Sequence, residues 1–347
     1  MKGNEALAEA AIMAGCRHYF GYPITPQTEV AAYMAKRMPK IGGTFLQAES
    51  EIAAINMVYG VASAGFRVMT SSSSPGIALK SEGLSYLAGA DLPALVINVQ
   101  RGGPGLGGIQ PSQSDYFQAT KAGGHGDFRM IVLAPASVQE MADLTVKGFD
   151  LADKYRMTSM ILADGTMGQM MEPVSLNYGE PKKYDKSWAV TGTECARPHN
   201  IVNSLFLQPD ELEKFNFARY ERYKQIEENE TMYEEYMMED AEICVVAFGI
   251  ASRVAKNAVA EARGQGIKVG LIRPITLYPY PEKIINEVAK QECVREFLTI
   301  ELSMGQMVED VRLAVNGLKP VDFYGRTGGN VMTPDDIVNY VLAKENK

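Results

Sequence analysis

Nowhere in this sequence do two cysteines stand close together. Cys16, Cys195, Cys244 and Cys293 are scattered, as are His18, His125 and His199. The CxxC and Cys/His spacings that build zinc or iron–sulfur sites are therefore missing, and no metal is expected to be held by this chain alone. Long apolar runs are missing too. A stretch such as ALVIN at 94–98 falls far short of the ~20 residues that span a bilayer. The opening MKGNEALAEAAIMAG carries Glu5 and Glu9 inside an alanine-rich helical pattern, which does not read as a secretory signal. A soluble, cytoplasmic protein without a membrane partner is expected. A basic excess is absent: the formal net charge is −8, which argues against a nucleic-acid partner. No GxxxxGK[ST], GxSxG or HExxH is present, so a P-loop, a nucleophile elbow and a zincin helix are excluded. On composition alone the chain fits a binding subunit as well as an enzyme.

What is present is rhythm. With 347 residues, 46% of them hydrophobic, the chain is long enough for two domains with real cores. Over residues 1–171 short strand patterns alternate with helical ones: CRHYFGY, GTFLQAE, RVMTSSSS, PALVINVQR, RMIVLAP and TSMILAD are strands, and the segments between them are largely helical. Thr28 and Ser50 stand where helix caps belong, and Gly65 where a helix stops. Residues 172–240 lose the rhythm: a proline- and lysine-bearing excursion holding Trp188 is followed by a charged, helix-prone stretch from 209 to 240, read as a solvated linker helix. Residues 241–347 resume it with ICVVAFG, KVGLIRP, EFLTIEL and PVDFYGR as strands, TLYPYP as a turn, and a last helix capped by Thr333. The fold class expected is α/β, with two parallel-sheet domains.

In parallel sheets ligands bind beyond the C-terminal ends of the strands. That rule selects PITP (23–26), QAESE (47–51), SSSSPG (71–76) and QRGGPGLGG (100–108). Arg101 ends an apolar strand, a place from which a guanidinium can grip a carboxylate or phosphate through two parallel bonds, or pair with a surface acid. Gly103, Gly105 and Gly108 spell GxGxxG, but IQPSQSD follows where the dinucleotide fingerprint needs an immediate helix; the glycines are read as allowing close backbone approach. Glu49 and Glu51 flank Ser50 at a strand-to-helix junction, which suggests one structural acid and one free for chemistry. Ser73 and Ser74 precede a helix that has Pro75 in its first turn, and a simple N-cap accounts for either. Pro23 and Pro26 stiffen the loop around Thr25 and push Tyr22 and Thr25 toward extended geometry.

The ordered set YPITP, QAESE, TSSSSPG and VQRGGPG resembles the thiamine-diphosphate-dependent 2-oxoacid:ferredoxin oxidoreductases, and within them the α subunit of the branched-chain, 2-oxoisovalerate form. The resemblance covers nearly the whole chain. It implies a pyrimidine-binding-type domain over 1–171 and a transketolase C-terminal-like domain over 241–347, marked by AFG, IRPITLYPYP and ELSMGQMVEDVR. It implies that Glu51 bonds N1′ of the cofactor's aminopyrimidine and so promotes loss of the thiazolium C2 proton, leaving Glu49 the structural role. It further implies that Ser73 and Ser74 belong to the cofactor site and that Thr25 and Arg101 hold the 2-oxoacid carboxylate. The reaction implied is decarboxylation, two one-electron transfers to ferredoxin and acyl transfer to coenzyme A. The family's diphosphate motif, GDG with an asparagine ~25–30 residues on, which holds Mg²⁺, has no counterpart here; GDF at 126–128 and ADG at 163–165 depart from it. Thiamine diphosphate and Mg²⁺ are thus expected to be shared with a β subunit, and [4Fe-4S] clusters to lie in partners only, with γ and ferredoxin-like subunits completing the complex. Between Gly102 and Thr120 there is no lysine or arginine, a lean toward a monocarboxylic, apolar substrate. 2-Oxoglutarate and a non-catalytic scaffold role are the alternatives.

Overall fold

A computed structural model describes residues 1–121 and 123–345. Its strands are β1 (His18–Gly21), β2 (Thr44–Gln47), β3 (Val68–Ser72), β4 (Ala94–Gln100), β5 (Ile131–Leu133), β6 (Thr158–Asp164), β7 (Tyr233–Tyr236), β8 (Ile243–Ala247), β9 (Val269–Pro274), β10 (Thr276–Tyr278), β11 (Glu296–Glu301) and β12 (Val321–Gly325). The helices are α1 (Gly3–Met13), α2 (Thr28–Arg37), α3 (Glu51–Ser63), α4 (Ser74–Gly89), α5 (Tyr116–Thr120), α6 (Val138–Tyr155), α7 (Gly165–Gln169), α8 (Pro209–Asn229), α9 (Gly249–Gly264), α10 (Glu282–Ala289), α11 (Met307–Val315) and α12 (Pro334–Glu345).

The strands form two sheets, ordered β10-β5-β6-β4-β3-β1-β2 and β12-β11-β8-β9-β7. All pairings are parallel except β10 on β5 and β7 on β9. The α/β class with two parallel sheets is what the alternation predicts. β4 and β6 are buried along their whole length, so both read as unbroken apolar runs rather than alternating ones.

Three local expectations change. Gln27, not Thr28, occupies the N-cap position of α2, and no side chain bonds there. The charged stretch does not stay helical to 240: α8 stops at Asn229, and 233–236 become β7 on the edge of the second sheet. TLYPYP is more than a turn, since Thr276–Tyr278 form β10, an antiparallel edge of the first sheet. Elsewhere the end signals work locally. Ser50 caps α3 by accepting the Ala53 N–H at 3.1 Å, and Gly65 takes φ +84° just past the helix. Thr333 accepts the Asp336 N–H at 3.2 Å while Asp336 accepts that of Thr333 at 2.9 Å, a reciprocal box.

Side-chain amides join the halves. Gln113 donates to Phe248 O at 2.8 Å and accepts the Leu302 N–H at 2.9 Å. Gln306 donates to Ser114 O at 2.7 Å and accepts the Phe117 N–H at 2.8 Å. Arg273 forks onto Glu140 at 2.7 and 2.8 Å. The segment that follows the glycine loop is therefore anchored to the second sheet.

Candidate active site

The strand order sets neighbours β4, β3, β1 and β2 side by side, and because they run parallel their four following loops meet at one edge. These are the four loops singled out from the sequence.

Glu51 is the first residue of α3 and is 6% exposed. Its side chain packs against the start of α4: a Cβ added at Gly76 would lie 2.1 Å from Ser72 Oγ and 2.7 Å from Glu51 Oε1. The site needs a glycine there for space, not for an unusual backbone angle. No hydrogen bond reaches the Glu51 carboxylate among the described residues. Next to it two buried hydroxyls lack partners, Ser72 Oγ and Ser73 Oγ, and a third, Thr70 Oγ1, lies farther back in β3. Ser73 stands at the N-cap of α4 but does not cap it. Buried polar groups normally find partners, and two unpartnered hydroxyls beside an unbonded carboxylate at one strand edge mark a place prepared for polar groups from outside the chain. Glu49 is exposed, and the cap of α3 is Ser50, as its residue type predicts. The structural-acid reading of Glu49 is corrected accordingly.

Ser74 differs from Ser73. Its hydroxyl donates to Asp115 Oδ2 at 2.6 Å and accepts the Arg101 N–H at 3.0 Å. Asn98 Nδ2 also donates to Asp115 Oδ2, at 2.9 Å, and burial pushes the Asp115 carboxyl above its ordinary value against those two bonds. Ser74 is thus engaged in bracing the start of α4 against the start of the glycine loop and the segment that follows it.

Arg101 is 8% exposed. It donates to Thr25 O at 3.1 Å and to Leu106 O at 3.0 Å, and its Nε–H has no partner. Of five guanidinium N–H groups, two are used to clasp the loop after β1 to the loop after β4. Thr25, exposed and joined to Pro26 by a cis bond, lies directly against this guanidinium through its carbonyl. The glycine loop opens no helix: Gly102 N bonds Gln110 O at 2.9 Å, and a Cβ at Gly107 would sit 1.8 Å from Gly102 O. Its tip carries Leu106, 85% exposed, and Ile109, 57% exposed.

Sequence reading missed Lys80. It is fully buried on α4, and its Nζ has no hydrogen-bond partner. Burial draws its ammonium down from an ordinary 10.5 to about 8, with the charge of Glu51 opposing. The available signal was one lysine at helical spacing between Gly76 and Gly83, after the small and apolar GIAL. Also missed was the role of Gln113, which a single sequence gives no means to see.

Among the described residues no cluster of three or more His, Cys, Asp or Glu is placed to hold a metal, and no helix is long and apolar enough to cross a membrane. A cleft of about 960 Å³ beside Arg129, Glu227, Tyr280 and Asp310 includes none of Thr25, Glu51 and Arg101.

A family model described as pyruvate flavodoxin/ferredoxin oxidoreductase, thiamine diphosphate-binding, matches residues 9–238, and one described as pyruvate:ferredoxin oxidoreductase core domain II matches residues 241–337. Ketoisovalerate oxidoreductase subunit VorB of Methanothermobacter marburgensis is 54% identical over 98% of this chain and 96% of its own length. 2-Oxoglutarate synthase subunit KorA of the same organism is 34% identical over 99% and 98%. Among solved structures, 2-oxoglutarate:ferredoxin oxidoreductase from Magnetococcus marinus, with 2-oxoglutarate, coenzyme A and succinyl-CoA bound, matches with a TM-score of 0.87 at 30% identity. The match covers 99% of this chain and 64% of that longer one. A split-gene transketolase, an inactive β4 tetramer, shares the fold at a TM-score of 0.64 and 14% identity, over 99% and 97% of the two chains.

Proposed function

The chain belongs to the thiamine-diphosphate-binding pyruvate flavodoxin/ferredoxin oxidoreductase family, and from that premise we propose that it is the pyrimidine-holding subunit of an enzyme that oxidatively decarboxylates 2-oxoisovalerate. The products are the branched acyl-CoA, CO₂ and reduced ferredoxin. The observation that carries this reading is Glu51: a buried carboxylate without a protein donor, in a cradle that a single Cβ at Gly76 would fill.

The residues present fit an aminopyrimidine. A flat ring with donors and acceptors on its edge would meet a free carboxylate and the free hydroxyls of Ser72 and Ser73. When bound, thiamine diphosphate supplies a carbon nucleophile and an electron sink for decarboxylation. The protein's part is narrower. Glu51 holds a proton shared with the ring nitrogen, general acid–base work of the kind worth roughly 10²–10⁴ in rate. Ser74, through Asp115 and Asn98, fixes the start of α4 and hence Gly76. Arg101, tied to Thr25 O and Leu106 O, keeps one N–H on each Nη for the substrate carboxylate. The exposed Leu106 and Ile109 beside it support an apolar substrate side chain, as does the greater likeness to the ketoisovalerate subunit than to the 2-oxoglutarate one.

The division of labour follows. Residues 1–171 carry the pyrimidine side, 172–240 connect, and 241–347 brace the glycine loop. The diphosphate and its Mg²⁺ are held by a β partner seated over the open strand edge, with [4Fe-4S] clusters, a γ subunit and a ferredoxin-like subunit elsewhere in a cytoplasmic complex. Alone, the chain is inactive. The test is the assembled enzyme carrying Glu51→Gln: turnover drops at least ~10²-fold, and near-normal turnover rejects the assignment. Rates with 2-oxoisovalerate and 2-oxoglutarate, measured side by side, decide the substrate; a preference for the dicarboxylate overturns that part.

A further inference from the structure

Lys80 has no structural reason to be where it is. The other deeply buried cations of the first sheet's layers are matched: Arg67 by Asp150 and Asp153 at 2.7 and 2.8 Å, and Arg219 by the carbonyls of Ala88 and Asp127 at 2.7 and 3.1 Å. Lys80 is 0% exposed and its ammonium bonds nothing, an arrangement that costs folding free energy. Its place on α4 is defined by two contacts. Gly76 abuts Glu51, and Gly83 abuts Ile55, where an added Cβ would lie 2.4 Å from a methyl. Gly76, Lys80 and Gly83 form one stripe on the helix face, and Glu51 and Ile55 form the matching stripe on α3. Lys80 is therefore clamped between two glycine contacts. Helical side chains run back toward the N-terminus of their helix, which carries its ammonium over Gly76 toward the Glu51 carboxylate.

We propose that Lys80 is a positioning residue for Glu51: its ammonium lies on the interior side of the carboxylate, balances its charge in the buried cradle and turns one oxygen outward toward the ring nitrogen of the aminopyrimidine. This rests on the reading of Glu51 given above. The other charges near α4 are committed. Asp115, before α5, accepts from Ser74 and Asn98. Asp164, ending β6, accepts from the N–H groups of Thr166 and Met167. Arg101, just past β4, is held by carbonyls. Arg219 of α8 meets only the far end of α4, at Ala88. Glu51, from α3, is the one charge whose field acts on Lys80.

The experiment uses the complete hetero-oligomer with Lys80→Met, an apolar side chain of similar length, and Lys80→Arg. Thiamine diphosphate binding is titrated calorimetrically from about pH 6.5 to 9.5, independently of turnover. In the wild type affinity falls as Lys80 loses its proton around pH 8. Lys80→Met binds about tenfold more weakly at neutral pH and lacks this alkaline fall, while Lys80→Arg keeps the neutral affinity better and moves the fall beyond the range. Wild-type affinity together with an unchanged alkaline fall in Lys80→Met overturns the proposal. Glu51→Gln, measured in parallel, separates the two readings: an active Glu51→Gln enzyme removes the role of Glu51, whereas an inactive one beside an unaltered Lys80→Met removes only that of Lys80.

Discussion

Glu51 and Glu301 occupy the same kind of place in the two halves of the molecule. Each is a buried acid at a strand-to-helix junction. Glu301, at the end of β11, accepts from the N–H groups of Gln306, Met307 and Val308 at 3.1, 3.0 and 2.9 Å and from the Ser303 hydroxyl at 2.9 Å. Glu51 accepts from none of the described residues. The same contrast holds for the serines: Ser303 bonds Glu301, while Ser73 bonds nothing. One junction uses its acid and serine to complete its own structure; the other leaves both unbonded. Unmet hydrogen-bonding capacity, more than burial or charge, distinguishes the Glu51–Ser73 corner from the Glu301–Ser303 one.

The contrast can be broken most sharply at its two acids. Glu51→Gln should cut turnover of the assembled enzyme by two orders of magnitude or more and lower the melting temperature of the chain only modestly, because no protein hydrogen bond is lost while buried Lys80 loses the charge opposite its own. Glu301→Ala should do the reverse: unfolding by denaturant should show a loss of about 3 kcal/mol, since three buried N–H groups lose their acceptor.

An intermediate case sharpens the rule. Asp164 sits at the active-sheet edge but is engaged, capping α7 through Thr166 and Met167. Burial still raises its carboxyl from 3.8 to about 6. A folded-state value above the unfolded one means stability that is present below about pH 4 and lost as pH rises through about 6. The associated change is on the order of 3 kcal/mol. Stability measured against pH should show that decline in the wild type and a flatter profile in Asp164→Asn.

The smallest effects belong to the clasp. Arg101→Lys keeps the charge but not the fork, and the apparent KM for the 2-oxoacid should rise about tenfold with assembly intact. Thr25→Val should raise it less; an unchanged KM would assign Thr25 to loop shape alone.

Much of this architecture could be read from residue order. Strand-to-helix junctions announce themselves through local signals, and Ser50, Gly65 and Thr333 do in the structure what their residue types predict. The four loops of the site were found because the parallel rhythm says where ligands bind. What stayed hidden is non-local. β10 is three residues between prolines, and nothing in TLY says that it will pair with Ile131–Leu133. β7 carries Glu234 and Glu235 and reads as more of the charged helix until β9 claims it as an edge. The difference between Ser73 and Ser74 depends on Asp115, forty-one residues further on. Lys80 looks like a surface lysine until α3 closes over it. In each case the deciding partner is distant in sequence, beyond the reach of any window of residues.

β10 also bears on how the protein can be handled. It leaves the second half, lies down beside β5, whose three residues are all buried, and returns. A piece of chain ending near residue 240 would carry β5 as an open apolar edge, the kind that invites aggregation; the remainder would carry a strand with no sheet. Expression as two separate halves should therefore fail, and split-protein or domain-swap engineering has no seam to use in the middle of this chain.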